Sequence, residues 1–182
     1  MTAGHTDSEI LAAIQADAER GFTMLLDRYQ QPVYWHIRRI TVLHGDAEDA
    51  MQETFMRVFR HMGRFQSDKS LGAWIYRIAT NEAIRQRKRH KGLTLSLDDA
   101  TVTDAGGAIA DEYVDFSDLE SVKLQKAILA LPPKQQAVFN LRYYDGFDYA
   151  LIAEITGSTP ANAKASYHVA KRKVIDYMLK HD

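Results

Sequence analysis

The sequence predicts an all-α protein, built as two small helical domains joined by an acidic flexible linker. Three observations carry that expectation. Apolar residues recur at three- and four-residue intervals along most of the chain, with no sustained period-two alternation. Only four Pro punctuate 182 residues. Charge also changes sign along the chain. Residues 1–91 hold 14 basic and 11 acidic side chains, residues 92–122 eight acidic and no basic ones, and residues 123–182 nine basic and five acidic. The net charge of −1 therefore conceals a pattern of +3, −8 and +4. Domains over 1–91 and 123–182 with a linker over 92–122 follow. Two weakly basic units around an acidic strap suit a polyanionic partner, although a bland solvated linker gives the same charge run.

The elements follow in order. Ser8–Ala18 offers Ile10, Leu11 and Ile14 at helical spacing, and Phe22–Ile40 offers Phe22, Leu25, Leu26, Tyr29, Val33 and Ile37. Asp46–Met62 is the clearest helix. Ala47, Ala50, Met51, Thr54, Phe55, Val58, Phe59 and Met62 form one stripe, with Asp46 as N-cap and Gly63 as stop. A loop over Arg64–Ser70 leads to a helix over Leu71–His90 that buries Leu71, Trp74, Ile75 and Ile78. After the acidic stretch, helices are expected over Asp118–Ala130, Lys134–Tyr144, Asp148–Thr156 and Pro160–Leu179. Pro133 fits the start of the second of these, and Asp148 and Thr159 fit as caps of the last two.

Composition excludes several classes. With no Cys there are no disulfides and no Cys-based zinc sites, which fits a reducing, cytoplasmic location. The first ten residues lack a signal-peptide pattern, and no run reaches the ~20 apolar residues that span a bilayer. The seven His are scattered, and neither a Gly-rich phosphate loop nor a metal-spaced cluster is present. Neither an enzyme nor a cofactor- or metal-binding protein is expected.

The most informative local pattern is at the C-terminus. A helix of about eight residues, a turn at Gly157-Ser158-Thr159 and a longer basic helix make a helix-turn-helix. Its buried positions are Leu151, Ile152 and Ile155 before the turn, then Ala163, Val169 (or Ala170) and Val174. Thr159, Asn162, Lys164, Ala165, Tyr167 and His168 are the side chains placed to enter a major groove, with Lys171 and Arg172 directed to phosphates. An ordinary αα-hairpin with a solvated basic face has the same outline.

The stretch LPPKQQAVFNLRYYDGFDYALIAEITGSTPANAKASYHVAKRKV resembles region 4 of extracytoplasmic-function sigma factors. DAEDAMQETFMRVFRHMGRF is similar to region 2.1–2.2 of that family and SLGAWIYRIATNEAIRQRKR to its region 2.3–2.4. The three segments stand in the family's order. The resemblance implies an alternative sigma factor that binds core RNA polymerase and promoter DNA, recognises −10 and −35 elements and promotes melting.

By position match, Asp49, Gln52 and Glu53 would contact the clamp helices of the largest polymerase subunit. Met56, also off the apolar stripe, would add an anchor, and region 4 would meet the flap. Phe65, Ser67, Asp68 and Lys69 in the loop, with Arg77, Asn81, Arg85 and Lys88 on the helix, would hold the −10 strand. Trp74 is open between core packing and strand separation. The Arg85–Lys91 run suits phosphate. Arg142 would join Thr159, Asn162, Lys164, Ala165, Tyr167, His168, Lys171 and Arg172 at the −35 element. Lys164-Ala165-Ser166 stands where relatives often have Lys-Ser-Arg, and Val169 where an Arg is frequent. Weak −35 binding, or an unusual target read through Asn162, Tyr167 and His168, follows. The acidic linker would thread the polymerase cleft as an RNA mimic. An anti-sigma factor or another recruiting protein would use surfaces of the two domains. A stand-alone helix-turn-helix regulator is the competing reading, and it would not need the clamp-binding segment.

Overall fold

The computed structural model describes residues 4–66, 68–94 and 119–181. Ser67 and most of the acidic linker, including its reading as an RNA mimic, lie outside the described residues. What is described is helical, with one short 3₁₀ turn.

Helix α1 (Asp7–Ala16) opens on a capping box. Glu9 N–H donates to Thr6 Oγ1 at 3.3 Å, and Glu9 Oε2 accepts from Thr6 N–H at 2.7 Å. Those bonds from Thr6 hold the Glu9 carboxyl below its ordinary value. Asp17 closes α1 and begins α2 (Ala18–Thr41): its carboxylate accepts from Glu19 N–H at 3.0 Å and Arg20 N–H at 3.2 Å. The second helix thus starts four residues before the first apolar position that its periodicity announced. Tyr29 is buried and donates to Asp7 Oδ1 at 2.7 Å, tying α2 to α1. Burial, then that bond, pushes its phenol up to about 12.

Val42 ends α2 at φ 75°, a left-handed conformation that costs a β-branched residue strain. The sharp reversal lets α3 (His44–His61) start two residues earlier than expected. Leu43 occupies the N-cap without a side-chain bond, so Asp46 lies inside the first turn and is not the cap the sequence suggested. Ala47, Ala50, Thr54, Phe55 and Val58 are buried as the periodicity predicts, but Phe59 is 46% exposed. A 3₁₀ turn over Met62–Arg64 follows.

Helix α4 (Leu71–Thr94) runs past the predicted end at His90 and buries Leu71, Ile75, Tyr76, Ala79 and Ala83. Fully buried His36 joins α2 to α4 through Nε2 and Thr80 Oγ1 at 2.8 Å. Because the Thr80 hydroxyl donates to Tyr76 O at 2.7 Å, the imidazole N–H is the donor to Thr80.

Past the linker come α5 (Leu119–Leu129), α6 (Pro133–Tyr143), α7 (Tyr149–Thr156) and α8 (Pro160–Lys180). The expected caps are in place: Asp148 Oδ1 accepts from Leu151 N–H at 2.8 Å, and Thr159 Oγ1 from Asn162 N–H at 3.2 Å. Between them Gly157 takes φ 66°, which a glycine adopts without strain. Ala170, not Val169, is the buried residue of the pair, with Val169 43% exposed.

Two cores result. The larger is lined by α1–α4 and also takes in Ala137, Val138, Leu141, Ile152, Ala153, Ile155 and Ala163. The smaller joins Ala127, Ile128, Leu131, Phe139, Ala170 and Val174. Leu141 and Ile152 are fully inaccessible, each burial being worth about 1.5–3 kcal/mol. The helices on either side of the linker therefore pack against each other.

Candidate nucleic-acid and protein-docking interfaces

The outer face of α4 carries Arg77, Asn81, Arg85 and Lys88, all exposed and spaced three or four apart. Glu82 is inserted beside this stripe, with its side chain 6% exposed. One carboxylate oxygen accepts from Arg57 Nε of α3 at 3.0 Å and the other from Arg85 Nη1 at 3.0 Å. Arg57 also pairs with Glu53 at 2.9 Å. This chain of ions fixes Arg85 against α3 and leaves it 45% exposed. An acidic residue inside a basic run was the available sequence signal for it, and the periodicity reading passed over it.

The basic run divides by helix geometry. Arg89 is exposed, whereas Arg87 turns inward to bond Gln136 Oε1, with its Nη2 2.9 Å from Leu129 O. Burial lowers the Arg87 guanidinium from its ordinary value. In the loop, Asp68 and Lys69 are exposed. Phe65 is half-buried against Trp74 with ring centroids 5.0 Å apart, so both serve packing.

On α3, Asp49, Gln52 and Met56 are exposed, and Glu53 is half-buried in its pair with Arg57. Asp49, Gln52 and Met56 border a groove of about 760 Å³ between α2 and α3, walled by Phe22, Leu26, Met51, Phe55 and Phe59. Phe22 and Phe59 meet edge to face at 5.0 Å. This apolar wall was missed, because Phe59 reads as a core residue on spacing alone. Acidic and amide groups around an apolar slot suit a helix carrying both basic and apolar side chains.

At the helix-turn-helix, Thr159, Asn162, Lys164, Ala165, His168, Lys171 and Arg172 are exposed on α8. Tyr167 is half-buried, stacked on Phe139 at 5.7 Å and tilted against Tyr149 at 6.2 Å. Burial, with Tyr149 next, raises its phenol. Arg142 donates to Phe147 O at 2.9 Å and lies 5.1 Å over the Tyr149 ring. It braces the connection between α6 and α7. Among the described residues, no group of His, Asp or Glu could hold a metal ion, and no helix is long and apolar enough to cross a membrane.

An outward basic helix and a helix-turn-helix on one chain describe a factor with two nucleic-acid surfaces. Family comparison agrees: residues 25–92 match sigma-70 region 2, and residues 121–174 match sigma-70 region 4. The chain is 28% identical over 179 residues to the ECF RNA polymerase sigma-E factor of Escherichia coli (strain K12), covering 94% of this chain and 93% of that one. It is 26% identical over 187 residues to the RNA polymerase sigma-H factor of Pseudomonas aeruginosa, covering 98% and 96%.

Two solved structures share the fold. CnrH in complex with the cytosolic domain of CnrY superposes with a TM-score of 0.69 at 17% identity, over 95% of this chain and 96% of that one. The sigma factor RpoE bound to the anti-sigma factor NepR, from Bartonella quintana, gives 0.67 at 24%, over 88% and 98%. The chain belongs to the extracytoplasmic-function family of sigma factors and serves in transcription initiation as an alternative sigma factor.

Proposed function

We propose a division of labour among the three surfaces. Residues 1–91 form region 2, 92–122 the linker and 123–182 region 4. The outer α4 stripe, Arg77, Asn81, Arg85 and Lys88, takes the −10 strand together with Asp68 and Lys69. Asn81 reads a base edge while the cations neutralise phosphate. Residues at the start of α8 read the −35 element, with Lys171 and Arg172 on phosphates. Asp49, Gln52, Glu53 and Met56, with the neighbouring groove, dock on the clamp helices of the largest polymerase subunit, and region 4 meets the flap. The factor performs no catalysis of its own and acts in the cytoplasm. The two similar solved structures hold CnrY and NepR, which supports an inhibitory partner for this chain as well.

The observation that carries this reading is the outward alignment of four polar or cationic side chains on α4 in the same chain as an exposed recognition helix. A duplex-only regulator has no use for the α3 groove and its acidic border. Run-off transcription with core polymerase on a randomised promoter library tests the assignment. Transcripts from a defined start are expected, and they should weaken on Asn81→Ala and on Asp49→Ala. Duplex binding without core association would refute it.

A further inference from the structure

A buried carboxylate stands beneath the basic stripe of α4. Glu82 divides its oxygens between two helices: Oε1 accepts from Arg57 Nε of α3 at 3.0 Å, and Oε2 from Arg85 Nη1 of α4 at 3.0 Å. Glu53 accepts from the same Arg57 Nε at 2.9 Å. Two carboxylates and two guanidinium groups sum to zero, so the cluster adds no net charge to attract a phosphate backbone. A surface meant only to neutralise phosphate gains nothing from Glu82, whose charge offsets one of its own cations. Arg77 and Lys88, on the same stripe, make no hydrogen bond or ion pair among the described residues.

What the ion chain supplies is orientation. A freely moving cation is enough to screen phosphate, and holding a long side chain in one geometry costs rotamer entropy. A group that must match a base edge gains from being held, because that ordering is complete before the ligand arrives. Glu82 occupies only Nη1 of Arg85. The Nε–Nη2 edge keeps its pair of parallel N–H groups, on a side chain 45% exposed. Such an edge donates twice only where a base carries two adjacent acceptors. Guanine offers O6 and N7, and unpaired cytosine offers O2 and N3. Adenine sets its amino donor beside N7, and thymine its N3–H beside both carbonyls, so neither accepts a pair of bonds.

We propose that Arg85 reads a guanine or unpaired cytosine at one position of the −10 strand, and that Glu82 is the positioning residue that aims it. This rests on the assignment of α4 to that strand. Arg57, paired with Glu53, anchors Glu82 to α3, so the reading group is braced by a neighbouring helix as well as its own. Arg77 and Lys88 keep the phosphate role, and Asn81, one turn before Arg85, lies exposed beside the reader.

The test titrates reconstituted holoenzyme against fork-junction promoter DNA carrying each base in turn at each −10 position, across a salt series. The parent should show a position where guanine or cytosine binds about 5- to 150-fold tighter than adenine and thymine, and the winner names the edge that is read. Arg85→Lys keeps the charge but has no paired N–H edge, so it should lose that preference with the salt slope unchanged. Glu82→Gln should lose most of the preference while affinity for the disfavoured bases holds or rises, because the surface becomes more cationic. A residue that only supported the fold would lower both. Glu82→Asp retains the charge one methylene short of Arg85; it should also lose the preference, and it decides the matter if Glu82→Gln does not fold. A parent indifferent to guanine and cytosine at every position overturns the proposal, as does a preference that survives Arg85→Lys or both Glu82 variants. Arg85→Ala that weakens all bases equally and flattens the slope overturns the reading role and leaves the −10 assignment standing. If Arg85→Ala combined with Asn81→Ala leaves fork affinity unchanged, the −10 assignment falls as well.

Discussion

Replacing Lys171, Arg172 or Lys164 with alanine tests the electrostatic part of −35 binding in numbers. All three are exposed on α8. Each phosphate neutralised by a cation contributes about 0.9 to the slope of log affinity against log salt. Between 50 and 200 mM salt, one such contact costs roughly half a log unit, a factor of about 3.5. Each single substitution should therefore flatten the slope by ~0.9, and the Lys171→Ala/Arg172→Ala double by ~1.8, if both reach phosphate. Two controls come from the structure. Arg142 is committed to Phe147 O, and Lys173 bonds Gln135 Oε1 at 3.0 Å, so substituting either should flatten the slope less. The assay is fluorescence anisotropy of labelled promoter duplex with the reconstituted holoenzyme across a salt series. Equal slopes for Lys171→Ala, Arg172→Ala and the parent would refute the placement of α8 along the backbone. A large effect from Arg142→Ala with its fold intact would refute the account of that side chain.

Further outcomes follow from the same geometry. Asp148→Ala removes the cap of α7 and should cost about 1 kcal/mol, read as a lowered urea midpoint. Ile152→Ala empties a fully buried position shared with the larger core and should cost about 2–5 kcal/mol by denaturant titration. Met56→Ala should weaken core polymerase binding several-fold while leaving promoter single-strand binding by the unbound protein unchanged. If both fall together, Met56 is supporting the fold and not the docking face. Tyr29 has its folded value raised to about 12, so its contribution is complete below pH 10 and is lost as pH rises through 12. Stability curves should fall in that window, and Tyr29→Phe should remove that component of the fall.

Much of the architecture was legible because it is local. The α3 stripe, the Asp148 and Thr159 caps and the left-handed Gly157 each depend on a few neighbouring residues, and each appears where spacing put it. Illegible features depend on distant chain. Arg87 sits in a run that reads as phosphate-facing, yet its partner Gln136 lies 49 residues away. Arg142 and Tyr167 read as exposed until Phe147, Tyr149 and Phe139 are placed around them. Asp46 lost its capping role to the backbone reversal at Val42, which propensity does not foresee in a β-branched residue. Phe59 has the right period for the core but falls at the mouth of a groove, since periodicity gives a face and not a depth. The packing of the two halves was also beyond local reading, because Ile152 and Ile155 read as the helix-turn-helix's own core, and spacing does not say which distant helices they bury against.

The contact between the two halves bears on how the chain is made. Residues of the N-terminal half leave the ribosome first, and Asp145 is added roughly 60 residues after Arg87. At ~5–20 residues per second, that is an interval of about 3–12 s. Throughout it, the ground between α2 and α4 has no C-terminal half to cover it. Arg87 can stand in water until Gln136 is synthesised, whereas the apolar ground of the same contact is covered only when Leu141, Ile152 and Ile155 arrive, so a nascent chain waits half-built for its own ending.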